Sequence, residues 1–269
     1  MRTLAVIPAR LGATRLPRKP MRLLAGLPLI VRVWERVASM DLFDKVIVAT
    51  DSDEVEAVMA EQGGEVARTL EHNSGTERAA YAASLPPYAG QYDVVVNVQG
   101  DEPFISREAL LGATQMVTES GFAIGTAAVL APPSVLLDPN VVKVVTSARG
   151  QAMYFSRAPI PFLRDAADAE LQRSQIHQHL GIYAYTTGTL LGWNDIPQTP
   201  LEQIERLEQL RPLAAGISIG VAVIDELARP GIDTEADLER ANREWAEFTT
   251  GSTRRDAPAE GAERRREEQ

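Results

Sequence analysis

Short apolar runs recur along the chain, separated by stretches whose apolar positions fall three or four residues apart. TLAVI (3–7), KVIVAT (45–50), DVVVNV (93–98), IGTAAVL (124–130), VKVVT (142–146) and LGIYAYT (180–186) read as strands. Several are almost continuously apolar, as strands covered on both faces are. Between them, Leu29, Ile30, Val33, Trp34 and Val37 share one face of a helix over 28–39. A helix over 52–62 opens on Ser52, Asp53 and Glu54, residues suited to the positive end of a helix. Ser106 is a cap for 106–119. Leu238, Ala241, Trp245 and Phe248 line one face of 234–248, with Thr234 and Asp237 near capping-box spacing. LEQLR (207–211) reads as a further helix, with Glu208 and Gln209 facing solvent, and 163–178 as a partly helical surface excursion.

This alternation predicts an α/β fold, a mostly parallel mixed sheet covered by helices. No internal repeat is present. Residues 1–248 form one domain, and 249–269, without apolar periodicity and nearly balanced in charge, read as a disordered charged tail. Ligands of such sheets bind beyond the carboxyl ends of the strands, and polar sequence gathers there.

Composition narrows the function classes. The absence of cysteine excludes disulfides, thiolate metal sites and a thiol nucleophile. No apolar stretch is long enough to span a membrane, and the run in MRTLAVIPAR is too short for a secretory signal, so a cytoplasmic protein is expected. A net charge of −10 argues against a nucleic-acid coat. Against that acidic background, Pro8 to Arg22 carries Arg10, Arg15, Arg18, Lys19 and Arg22 and no acid. The loop follows the first strand and is neither a Walker A nor a GxGxxG motif. Its position favours a polyphosphate partner over a merely solvated basic loop.

Other strand ends are informative. After DVVVNV comes QGDEP, where Gly100 permits a turn and Asp101 is a hard-oxygen ligand suited to Mg²⁺; a plain turn explains the same residues. GIDTEADLERA offers Asp233 as a second carboxylate, or simply a helix start. In HNSGTERAA, Ser74 and Glu77 stand at capping-box spacing, compatible with an anion contact at the same helix terminus. His177 and His179 lie two apart on one strand face, but three histidines and no cysteine make a poor zinc set. YFSRAPIPF reads as a loop bearing Arg157.

Taken in order, VIPARLGATRLPRKP, HNSGTER, NVQGDEPFI, NVVKVV, YFSRAPIPF, HLGIYAY, LEQLR and GIDTEADLER resemble the 3-deoxy-manno-octulosonate cytidylyltransferases over about residues 3–245. The resemblance implies the nucleotide-diphospho-sugar transferase type of fold, usually a homodimer. It implies transfer of CMP from CTP to the anomeric hydroxyl of 3-deoxy-D-manno-octulosonate (Kdo), with release of pyrophosphate, for lipopolysaccharide biosynthesis. By the same resemblance, Arg10, Arg15 and Lys19 hold the triphosphate, with Pro8 and Ala9 beside it. Ser74, Gly75 and Arg78 lie near the cytidine. Asp101 and Asp233 are the Mg²⁺ ligands, and these two with Arg10, Arg15 and Lys19 form the catalytic set. Gln99, His179, Tyr183, Glu208 and Gln209 bind the sugar, and Arg157 meets its carboxylate. The absence of a Ser/His or Cys/His nucleophile fits direct displacement. The family loop usually reads RLPGKP, and Arg18 replaces its glycine, which either crowds the loop or adds a cation to the site. Alternatives in view are a cytidylyltransferase for 8-amino Kdo or a sialic acid, a nucleotide-sugar glycosyltransferase, and an inactive nucleotide sensor. Triphosphate-dependent pyrophosphate release separates the transferases from the last two.

Overall fold

The computed structural model describes residues 1–12, 15–226 and 228–255. Its strands are β1 (Thr3–Ala9), β2 (Leu23–Leu24), β3 (Leu27–Pro28), β4 (Lys45–Thr50), β5 (Glu65–Arg68), β6 (Val94–Asn97), β7 (Ile124–Leu130), β8 (Lys143–Thr146), β9 (Ala152–Ser156), β10 (His177–Thr186) and β11 (Ile219–Ile224). Its α-helices are α1 (Leu29–Ser39), α2 (Asp53–Glu61), α3 (Gly75–Ser84), α4 (Arg107–Thr118), α5 (Ala169–Arg173), α6 (Thr187–Leu191), α7 (Pro200–Glu205), α8 (Leu210–Ala214) and α9 (Glu235–Arg255).

The main sheet runs β11-β7-β10-β6-β1-β4-β5, with β8 added on β10 and β9 on β8. The β6-β1-β4-β5 half is parallel, and β11 is parallel to β7. β10 enters antiparallel between β6 and β7, and β8 and β9 pair antiparallel. The sheet is buried on both sides because successive side chains of a strand point to opposite faces. Ala5 and Ile7 join a core with α1, α2, α4 and α9, while Leu4 and Val6 join one with α3, α6 and α8. Chain direction diverges at β1, whose neighbours are β4 on one side and β6 on the other. Such a switch point opens a crevice at the strands' carboxyl ends.

The long apolar runs fold as their periodicity predicts: β4 and β7 occupy the expected residues, and Ser52, Ser74 and Ser106 each cap a helix through the side-chain oxygen. Short segments differ. β5 is four residues with a charge at each end, too brief for a period, and β9 runs into the start of YFSRAPIPF, a stretch read as a loop. LEQLR is helical only from Leu210, and Gln209 is buried rather than solvent-facing. The last helix passes residue 248 and ends at Arg255, with the hydroxyls of Thr249 and Thr250 bonded back to carbonyls of the preceding turn. The remainder of the expected tail, 256–269, lies outside the described residues.

Arg18 adopts φ 57° and ψ 33°, the left-handed region where glycine carries no Cβ penalty. Its guanidinium pairs with Glu54 in the first turn of α2, Nη1 donating to Oε1 at 3.1 Å and Nη2 to Oε2. The side chain thus tethers the basic loop to α2 while the backbone keeps the glycine-like turn. Arg18→Gly removes strain and tether together, so its melting temperature is expected within about 2 °C of the parent's. A calorimetric loss of several degrees would show the tether to be structural.

A second tight position is Gly125 on β7. A Cβ there would lie 2.0 Å from the Ala113 carbonyl oxygen and 2.9 Å from Met116 Cβ, because α4 lies directly on the strand. Gly125→Ala is expected to cost about 1–3 kcal/mol by overpacking, read as a lowered melting temperature. An unchanged transition would contradict this packing.

Candidate active site

Three chain segments converge at the carboxyl ends of β1 and β6. Beyond β6, Gly100 passes so close to β1 that a Cβ would stand 2.6 Å from the Pro8 carbonyl oxygen. Only glycine fits this approach, which sets Asp101 beside the start of the basic loop. The Asp101 carbonyl accepts from Ile232 N at 2.9 Å, bringing in the segment before α9. Asp237 then accepts from the backbone N–H of Asp233 (3.2 Å) and Thr234 (2.9 Å). The helix-start reading of this segment is therefore met.

Lys19 closes the arrangement. Its Nζ donates to Asp101 Oδ2 and Asp233 Oδ1, each at 2.7 Å, and Arg15 Nη2 meets Asp233 Oδ2 at 3.0 Å. Burial works against the Lys19 charge, but the two carboxylates outweigh it and hold the ammonium pKa above its ordinary value. Two carboxylate oxygens around one small cation fit Mg²⁺, which takes one or two protein carboxylates and completes its shell with water and substrate phosphate. No cluster of three or more His, Cys, Asp or Glu suited to a metal exists among the described residues, so the zinc reading of His177 and His179 gains nothing. Glu102, which the sequence did not single out, is pushed up to about 8 by burial and by Asp101 and Asp233, partly offset by Lys19.

A cavity of about 210 Å³ adjoins these groups, lined by Pro8, Ala9, Arg10, Lys19, Ser74, Gly75, Arg78, Gln99 and Asp101. Arg15, Arg18 and Asp233 are absent from that lining; Arg15 and Asp233 adjoin it through Lys19, while Arg18 turns to Glu54. The first turn of α3 forms one wall, closed by a capping box: Ser74 Oγ accepts from Glu77 N at 3.2 Å, and Glu77 accepts from Asn73 N at 3.1 Å. Arg78 is 2% exposed. Its Nη1 bonds Thr69 Oγ1 at 2.5 Å and meets Asp51 at 3.2 Å, while Nη2 has no protein partner. A buried, unpaired guanidinium N–H at a cavity wall is a donor suited to a ligand acceptor.

A second cavity of about 260 Å³ shares Gly75 and Gln99 with the first. Each alone is smaller than the roughly 300–1,000 Å³ of a typical ligand pocket, and the two together reach that range. Gln99, His179, Tyr183, Glu208 and Gln209 all line it. Burial lowers the His179 pKa to about 3, so the ring is neutral, and Nε2 lies 2.8 Å from Thr126 Oγ1. Burial raises Tyr183 well above its ordinary value and Glu208 also upward, the latter offset by the Thr76 hydroxyl donating at 3.0 Å. His179 is neutral and Gln99, Tyr183 and Gln209 carry no charge, a lining suited to sugar hydroxyls. Tyr185, Trp193 and Arg206 complete the walls and were not anticipated. Tyr185, two residues beyond Tyr183 on the same strand face, was accessible from the period-2 pattern; Trp193 carried no such signal.

Arg157 departs from expectation. It lines neither cavity: Nε donates to Glu205 O and Nη1 to Pro139 O, both at 2.8 Å, while its backbone N–H donates to the Glu205 carboxylate at 2.9 Å. The guanidinium is occupied by carbonyls and fastens α7 to β9.

A family model described as Cytidylyltransferase matches residues 4–219. A protein of Gemmatimonas aurantiaca named 3-deoxy-manno-octulosonate cytidylyltransferase is 54% identical over 91% of this chain and 95% of its own. One of the same name from Polynucleobacter asymbioticus is 46% identical over 89% and 94%. The solved structure of CMP:2-keto-3-deoxy-manno-octonic acid synthetase complexed with CTP superimposes with a TM-score of 0.84 at 35% identity, covering 92% of this chain and 99% of that one. At 14% identity, 4-diphosphocytidyl-2C-methyl-D-erythritol synthase of Anaerococcus prevotii shares the fold, with a TM-score of 0.60 over 91% and 98% of the two chains. With the sheet, the basic loop and the paired carboxylates in place, the chain belongs to the cytidylyltransferase family, and within it to the 3-deoxy-manno-octulosonate cytidylyltransferases.

Proposed function

We propose that this protein transfers CMP from CTP to the anomeric hydroxyl of Kdo, forming CMP-Kdo and pyrophosphate for lipopolysaccharide synthesis. The observation that carries the reading is the Asp101–Lys19–Asp233 cluster beside two cavities that share Gln99 and Gly75. The nucleotide takes the cavity walled by the basic loop and α3, and the sugar takes the one lined by β10 and the 206–209 loop. The related solved structure is a complex with CTP, which supports a CTP site in this chain.

Displacement at the α-phosphorus brings an alcohol to a heavily anionic centre. Arg10, Arg15 and Lys19 offset that charge and stabilise the leaving pyrophosphate. The N-terminus of α3 and the free Nη2 of Arg78 hold the nucleotide from the opposite wall. Neutral His179, Tyr183 and Gln99 orient the sugar so that its hydroxyl points along the line of the breaking P–O bond. The hydroxyl oxygen forms the new P–O bond, its proton passes to solvent, and the bond to pyrophosphate breaks. Mg²⁺, held by Asp101 and Asp233, would supply Lewis-acid stabilisation of phosphate charge and lower the pKa of a hydroxyl bound to it.

Two copies would associate as a homodimer in the cytoplasm. Leu137 and Phe162, each more than four-fifths exposed, are apolar surface available to such an association. No helix among the described residues is long and apolar enough to cross a membrane.

Pyrophosphate release tests the reading. It is expected with CTP, Mg²⁺ and Kdo and not with UTP, ATP or a sialic acid. Asp101→Ala is expected to lower kcat by about 10²-fold or more, since it removes half of the carboxylate pair. Release with 8-amino Kdo alone would change the substrate and keep the chemistry. CTP binding with no release from any acidic sugar would overturn the transferase reading.

A further inference from the structure

The 206–209 loop delivers Glu208 and Gln209 to the larger cavity, with Leu207, 5% exposed, seated in the core beside it. It joins α7 and α8, helices of six and five residues. Helices this short are not stable in isolation. Arg206 turns the chain through φ 55°. The apex reaches the rest of the cavity wall through one side-chain bond, Thr76 Oγ1 to Glu208.

Beneath the loop lies a buried ion pair. Glu202 on α7 and Arg211 on α8 are each 6% exposed. Arg211 Nε donates to Glu202 Oε2 at 2.9 Å and Nη2 to Oε1 at 2.6 Å, the two-pronged geometry of a guanidinium on a carboxylate. Backbone bonds extend the closure on both sides: Leu207 N to Glu202 O at 3.3 Å, and Arg211 N to Glu208 O at 3.0 Å. The Arg211 guanidinium lies 5.3 Å from the centre of the Trp193 ring, and Trp193 stands edge-on to Tyr185 at 6.0 Å. Both aromatic residues line the same cavity. On the far side, Glu205 binds Ser156 Oγ at 2.6 Å and Arg157 N at 2.9 Å, fixing α7 to β9.

A buried ion pair is weak evidence for stability, because desolvating two charges offsets much of their attraction. A bidentate pair does fix geometry, since both prongs are satisfied in one relative placement of the two side chains. We propose that Glu202 and Arg211 form a clip that positions Glu208 and Gln209 on the sugar cavity. They are positioning residues and touch no substrate. The proposal rests on the reading of that cavity as the sugar site.

The test compares Glu202→Gln and the apolar double variant Glu202→Met/Arg211→Met with the unaltered full-length protein. Three readouts are used: melting temperature, amide hydrogen exchange over 203–210, and KM for Kdo and for CTP from pyrophosphate release. The clip requires faster exchange over 203–210 in both variants. It also requires KM for Kdo to rise about tenfold while KM for CTP stays within about twofold, as expected when only sugar contacts are misplaced. The double variant is expected to melt near the parent temperature, because an apolar pair commonly replaces a buried ion pair without loss of stability. A fold-stabilising pair with no positioning role would instead leave the Kdo KM intact in a well-folded double variant. Unchanged exchange, equal rises in both KM values, or a double variant that does not fold each overturn the proposal. Should Glu202→Gln not fold, the double variant carries the comparison. Absence of turnover with Kdo in the unaltered protein would overturn the sugar-site reading, and exchange would still decide whether the clip holds the loop.

Discussion

One ammonium group between two carboxylates organises the site. Asp101 and Asp233 come from opposite halves of the chain, and the fold places an oxygen of each at 2.7 Å from Lys19 Nζ. Like charges held this close repel unless a cation lies between them. The basic loop supplies that cation, and Arg15 adds a second contact on Asp233. The same balance explains why an acidic protein concentrates positive charge after its first strand. The loop satisfies the carboxylates within the protein, and its Arg10 and Lys19 line the smaller cavity.

The rest of the structure serves that convergence. β1 is the point at which the sheet's connections diverge, so its end opens into a crevice. Gly100 lets the chain after β6 pass against Pro8, and the bond from Ile232 N to Asp101 O draws in the segment before α9. Glycine at 100 and the backbone bond at 101 therefore decide the distance between two side chains far apart in sequence. Gln99 and Gly75 line both cavities, which places the two side by side beyond the strand ends.

Much of this was legible in the sequence, for identifiable reasons. Long buried strands and capped helices follow from periodicity and end chemistry, which are local, as β4, β7 and the Ser106 cap illustrate. The nearness of Asp101 and Asp233 was not, because it depends on a backbone bond between distant segments; only the family resemblance pointed to it. Arg157 shows the complementary point: a cation in a loop is available to any acceptor, and here Nε and Nη1 meet two carbonyls outside both cavities. Arg18 shows that a glycine signal can be satisfied otherwise: the left-handed turn is kept, and Glu54 engages the side chain that glycine would lack. Glu202 and Arg211 carried no sequence signal, since their value lies in closing a loop whose shape the sequence does not state.

We propose that Asp101 and Asp233 form one cation site, in which the Lys19 ammonium stands here. Its most direct measurement is the anomalous difference map of crystals grown with CTP and Mn²⁺ in place of Mg²⁺. The account predicts an anomalous peak within bonding distance of oxygens of both Asp101 and Asp233 and of the triphosphate, with Lys19 Nζ moved onto a phosphate oxygen. A manganese ion bound only to phosphate, with Lys19 still bridging the two carboxylates, would contradict it.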